Sequence, residues 1–81
     1  MIAKVTVSPK RAVLDPQGKV VQSGLHKLGY DGVMDVRVGK FIEVDLGDVQ
    51  RDAAEEMVEQ MCRRFLSNPI IEDFHFELVE E

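Results

Sequence analysis

At 81 residues the chain is long enough for one small domain, residues 1–81, and no more. Its 44% apolar and 31% charged residues suit a folded globular domain, and a net charge of −5 argues against general nucleic-acid or anionic-membrane binding, which requires clustered positive charge. The longest apolar runs, Met1–Ala3 and Ala12–Leu14, are three residues each against the ~20 of a membrane span, no basic segment with an apolar stretch opens the chain, so no signal peptide is expected, and the single Cys62 excludes an internal disulfide.

In residues 2–8, Ala3, Val5 and Val7 alternate with Lys4, Thr6 and Ser8, which predicts a half-buried strand. Pro9, with no N–H for a ladder, ends it. Residues 16–28 read as the first helix. Asp15 is its N-cap, Pro16 takes the first position, and Gly29 is the left-handed C-cap. Val21, Leu25 and Leu28 form one apolar stripe. Gly18 and Gly24 each weaken this helix by roughly 1 kcal/mol relative to Ala, which close packing on the sheet, or close approach of a partner, would explain.

Residues 33–38 and 41–46 are the second and third predicted strands, joined around Gly39 and Lys40. A two-residue loop puts Val36 on the face of Glu43. An odd loop, or a bulge at Gly39, groups Val36 and Val38 with Ile42 and Val44 and sets Arg37 beside Glu43, and the apolar face favours this register. Residues 49–66 hold the second helix, its buried stripe Ala54, Val58, Met61 and Phe65, flanked by Met57 and Cys62. Asp52, Glu55 and Glu56 lie early in it and Arg63 and Arg64 late, as the helix dipole favours. Asn68-Pro69 stops it. Residues 72–79 are the last strand, with Phe74, Phe76 and Leu78 inward and Asp73, His75 and Glu77 outward.

The order β-α-β-β-α-β, with both helices on one face so that their stripes are covered, predicts an α+β, ferredoxin-like antiparallel sheet. The face without helices then carries Lys4, Thr6, Arg37, Glu43, His75 and Glu77 with Ile2 and Phe41 among them, a mixture typical of an interface. A domain of this size draws no more than ~3–5 kcal/mol from one core, so self-association or docking onto a larger partner is expected.

No catalytic constellation is visible. Nucleophilic catalysis needs a nucleophile beside a base, whereas Cys62 lies on or beside a buried stripe, where thiols are inert. His26 falls on the solvent side of the first helix. Asp73, His75 and Glu77 point the same way, but ligands from one straight strand diverge, and no Cys–His pair has zinc spacing, so no metal is expected. No phosphate-cradling glycine loop occurs. Five aromatics and an acidic balance do not suit RNA recognition on this topology.

Five stretches in order carry a resemblance: Val13–Gly18 (VLDPQG), Leu28–Tyr30 (LGY), Val36–Lys40 (VRVGK), Ile42-Glu43, and Leu66–Glu72 (LSNPIIE). Together they resemble the PurS family, the small subunit of phosphoribosylformylglycinamidine synthase, over nearly the whole chain. Ser67 stands where that family often has alanine, and Pro9 where an apolar residue is more usual. The resemblance implies a cytoplasmic, non-catalytic subunit of a purine-biosynthetic complex, with no cofactor or metal of its own. It implies a glutaminase subunit that releases ammonia, and a large synthetase subunit that uses ATP and Mg²⁺ to activate the amide of formylglycinamide ribonucleotide. This chain would bridge them, as a homodimer or higher homo-oligomer without nucleic acid or membrane. The polar loops are the expected contacts with the larger subunits: Asp15, Gln17 and Gly18; Arg37 and Lys40; Asn68 and Pro69. The competing reading is a small-molecule-binding regulatory module of ferredoxin-like topology.

Overall fold

Alternation makes Ile2–Pro9 a strand, β1, and buries one side of it completely: Ala3, Val5 and Val7 have no exposed surface. In the computed structural model, which describes residues 1–80, β1 is the centre of a three-stranded antiparallel sheet. Lys40–Asp45 (β2) pairs along one edge, setting Val5 opposite Ile42 and Ala3 opposite Val44. Glu72–Val79 (β3) pairs along the other, setting Val7 opposite Phe74 and Val5 opposite Phe76. One apolar face results, and the helix Arg51–Met61 (α2) covers it with Ala54 and Val58. Full burial of one such valine stabilises by roughly 2 kcal/mol.

A π turn, Cys62–Leu66, follows α2 and is closed by Ser67 N–H donating to the Cys62 carbonyl at 2.9 Å. It corrects the expected stripe. The wider turn carries one more residue per revolution, so Cys62 and Leu66 continue the packing of Val58 while Phe65 is turned out, 87% exposed. The buried Cys62 thiol is pushed up by desolvation, with the Glu59 charge adding to it, as suits a packing residue. Cys62→Ser is expected to lower stability by about 1–2 kcal/mol, since a hydroxyl enters an apolar site. Thermal melts check the loss, and normal activity of a complex carrying the variant checks that the thiol takes no part in chemistry.

Pro16–Lys27 (α1) begins and ends as its sequence dictates, with the Asp15 cap, Pro16 in the first turn and Gly29 at φ +98° after the last. The α+β, ferredoxin-like class stands, but two of its expected details differ. Only α2 covers the sheet: α1 has at most marginal contact with the strands and with α2, and Leu28 of its stripe is 75% exposed. Residues 33–38, moreover, form no ladder with β2. Both differences have one cause. Segment 33–38 is tied at both ends to α1 and its cap. The Gln22 and His26 side chains both meet the Val33 carbonyl, and Val38 N–H donates to Asp15. Helix and segment together form an arm. The radius of gyration is 16.0 Å, against about 12 Å for a compact chain of this length.

Candidate subunit interface

The arm is fastened to the loop that follows β1 by a polar clasp built from the sequence motifs around Asp15 and Arg37. One Asp15 oxygen caps α1 by accepting from Gly18 N–H at 3.0 Å, and the other accepts from Val38 N–H at 2.8 Å. Arg37 donates to the carbonyls of Lys10, Val13 and Arg11 at 3.2, 2.7 and 2.5 Å, and its Nε meets Asp35 at 3.2 Å. A planar guanidinium with five donors in a fixed fork is the side chain suited to gathering a loop's carbonyls in this way. Gly18 completes the clasp: a Cβ there would lie 2.0 Å from the Val36 carbonyl oxygen.

The clasp is charged, and its charges act on its acids. The Val38 and Gly18 N–H bonds, with Arg37 adding, hold the Asp15 carboxyl below its ordinary range. The Arg37 hydrogen bond does the same for Asp35. A folded-state value below the unfolded one stabilises the fold above about pH 3.9 and loses that stabilisation as the pH falls through the depressed value. Asp15→Asn replaces one accepting oxygen by an NH₂ group that cannot accept. The stability gap between wild type and Asp15→Asn is therefore expected to be widest near neutral pH and to close below about pH 3.9. Urea melts from pH 7 to 2.5 read this directly, and a gap constant with pH would contradict it.

Of the residues expected at an interface, Asp15, Gly18 and Arg37 come together in this clasp, whose intrachain bonds account for them without a partner. Asn68 is engaged in its own turn, its side chain accepting from Ile70 N–H at 3.2 Å and its N–H donating to Glu72 at 2.7 Å. Gln17, Lys40 and Pro69 are exposed and have no such intrachain role. They stand on three different parts of the chain, the first turn of α1, the start of β2 and the turn before β3.

The uncovered face of the sheet matches its expected composition with one correction. Lys4 stands between Glu43 and Glu77, and Thr6 between Phe41 and His75, as strand register requires. Arg37 is absent from it, because it belongs to the clasp and not to a strand. Among the described residues no group of three or more His, Cys, Asp or Glu is placed to hold a metal ion, and no helix is long and apolar enough to cross a membrane.

Sequence reasoning missed the exposed apolar residues. Val20 on α1, Phe65 in the π turn and Ile70 after Pro69 stand largely open, and Met57 on α2 is partly so, 41% exposed. The adjacent pair Val20-Val21 was a usable signal, since it widens the apolar stripe of α1 beyond what one sheet contact covers. Asp15's second bond, to Val38, had no signal, because capping alone already explained the residue.

Comparison with known proteins returns one family. The family model described as PurS, phosphoribosylformylglycinamidine (FGAM) synthase, matches residues 2–80. The PurS subunit of phosphoribosylformylglycinamidine synthase from Bacillus subtilis (strain 168) is 46% identical over 77 residues, covering 95% of this chain and 90% of that protein. A crystal structure of B. subtilis PurS superposes with a TM-score of 0.84 at 44% identity, over 98% of both chains. A chain in a structure described as PurLQS from Thermotoga maritima superposes with a TM-score of 0.79 at 25% identity, over 98% of this chain and 99% of that one. The regulatory-module reading finds no support among these relatives. Sequence, fold and length agree along the whole described chain, and it belongs to the PurS family, the small subunits of phosphoribosylformylglycinamidine synthase.

Proposed function

We propose that this subunit of phosphoribosylformylglycinamidine synthase performs no chemistry itself and docks the glutaminase subunit onto the synthetase subunit in the cytoplasm. The observation that carries this reading is the end-to-end superposition on a chain of the PurLQS structure, which supports a role within a multi-subunit assembly. A physical need supports it too. Ammonia released into water near neutral pH is largely protonated, and ammonium has no lone pair with which to attack the activated amide. A closed contact between the two larger subunits keeps the nucleophile neutral until it reaches the carbon from which it displaces phosphate. ATP and Mg²⁺ belong, on this reading, to the synthetase.

Gln17, Lys40 and Pro69 are the residues we assign to contacts with the larger subunits, since each is exposed. Self-association belongs to the same proposal. Leu14, Val20, Leu28, Met34, Phe65 and Ile70 are each more than two-thirds exposed in the single chain. A chain that opens so much apolar surface while extending 48 Å is suited to assembly. The test is reconstitution with and without this subunit, assayed with glutamine and with ammonia as nitrogen source. The bridge reading requires that its omission abolish the first reaction far more than the second.

A further inference from the structure

We propose that Asp31 is a site of spontaneous covalent modification: in the turn that returns the chain from α1 to segment 33–38, the Asp31-Gly32 peptide closes to a succinimide and reopens as isoaspartate.

The residue pair sets the chemistry. The Gly32 amide nitrogen attacks the side-chain carboxyl carbon of Asp31, a C–N bond forms, and a carboxyl oxygen leaves as water. Water then adds back to one of the two carbonyls of the ring. Addition at the side-chain carbonyl restores aspartate. Addition at the main-chain carbonyl leaves the chain running through the Asp31 side chain, with the former main-chain carbonyl as a free carboxylate. The water lost is regained, so neither mass nor redox state changes. The attack needs an N–H with room beside it. A side chain on the following residue crowds that nitrogen, and a proline has no N–H to lose. Of the seven aspartates only Asp31 precedes a glycine, and Asp15 precedes Pro16. The one asparagine, Asn68, belongs to the residue type that forms the same ring by losing ammonia, and it precedes Pro69.

The fold leaves this pair open. Asp31 and Gly32 are both exposed, and a Cβ built on Gly32 would meet nothing within 4 Å. Among the described residues the Gly32 N–H donates to no backbone carbonyl. The turn is closed by one long bond, from Val33 N–H to the Tyr30 carbonyl at 3.3 Å, a weak restraint on the rotation that brings carboxyl and nitrogen together. Other carboxylates are held elsewhere: Asp15 by Gly18 and Val38, Asp35 by Arg37, Asp45 by Gly47, and Asp73 by Lys10. The turn's ends are fixed, with Tyr30 N–H on the Leu25 carbonyl and the Val33 carbonyl met by Gln22 and His26. Isoaspartate therefore adds one main-chain carbon to a turn whose two ends are tied to α1.

The test holds the full folded chain for several weeks at neutral pH and physiological temperature. Isoaspartate is read by methyl transfer from S-adenosylmethionine with an isoaspartyl methyltransferase, and is placed by electron-based fragmentation of the tryptic peptide Leu28–Arg37, in which Asp35 is an internal comparison. Isoaspartate is expected to accumulate at residue 31 at least tenfold above any other aspartate. Gly32→Ala is expected to lower it at least fivefold. Nothing crowds a Cβ there and Gly32 has no positive φ, so the variant should melt like wild type. Asp31→Glu, which keeps the charge but would need a six-membered ring, is expected to abolish the signal at this position. Equal accumulation at Asp31 and Asp35, or an unchanged rate in Gly32→Ala, would overturn the proposal. Isomerisation in urea but not in the folded chain would overturn it too, since the fold would then protect the pair.

Discussion

Gly18→Ala is expected to destabilise this protein by about 2–3 kcal/mol. At an open helical position the same change stabilises by roughly 1 kcal/mol, because alanine forgoes less backbone entropy on folding. The sign inverts here because the methyl carbon would fall 2.0 Å from the Val36 carbonyl oxygen and 2.9 Å from an Asp15 carboxylate oxygen. Both are held. The carbonyl belongs to a segment fixed by its neighbours' bonds, and the carboxylate accepts from two N–H groups. Relief requires that α1 move off segment 33–38, which opens the whole clasp. Urea or thermal melts of wild type and Gly18→Ala decide the matter. A variant as stable as wild type, or more so, would mean that α1 and segment 33–38 do not lie together as described.

That clasp also explains which parts of the fold were legible in the sequence. Strands β1 and β3 were readable almost residue for residue, because strict alternation on a half-buried sheet has one solution. The start and stop of α1 were readable because Asp15, Pro16 and Gly29 are local signals. The position of α1 was not. An apolar stripe states that a helix is buried but not against what, and in this chain Val21 and Leu28 of the stripe are exposed. Segment 33–38 misled for a related reason. Val36 and Val38 alternate as strand residues do, yet the Val33 carbonyl and the Val38 N–H are bonded to α1 and its cap and not to β2. The π turn was invisible because nothing in the residues Cys62–Leu66 departs from a helical pattern.

At the candidate interface the same division holds. Asp15 was readable as a cap, and Arg37 and Lys40 as polar residues without an evident local role. The structure separates them: Arg37 gathers three carbonyls into the clasp, while Lys40 stands exposed at the start of β2. The family itself was legible, because short motifs spread in order over nearly the whole chain are jointly specific even where each alone is weak.

Omission of this subunit from the reconstituted complex is the most direct measurement of its role. With glutamine as nitrogen source the loss is expected to be at least a hundredfold. The glutaminase is then undocked, and its ammonia is diluted and protonated before it can reach the synthetase. With added ammonia the loss is expected to stay within about threefold, because the nucleophile enters from solution and, on the proposed reading, the synthetase needs no bridge to hold ATP and the ribonucleotide. The ratio of the two losses isolates docking from chemistry, since a subunit that shaped the synthetase site would lower both rates together. A glutamine-dependent rate that collapses while the ammonia-dependent rate persists is the result the bridge predicts. Equal losses with the two nitrogen sources, or no loss with either, would contradict it.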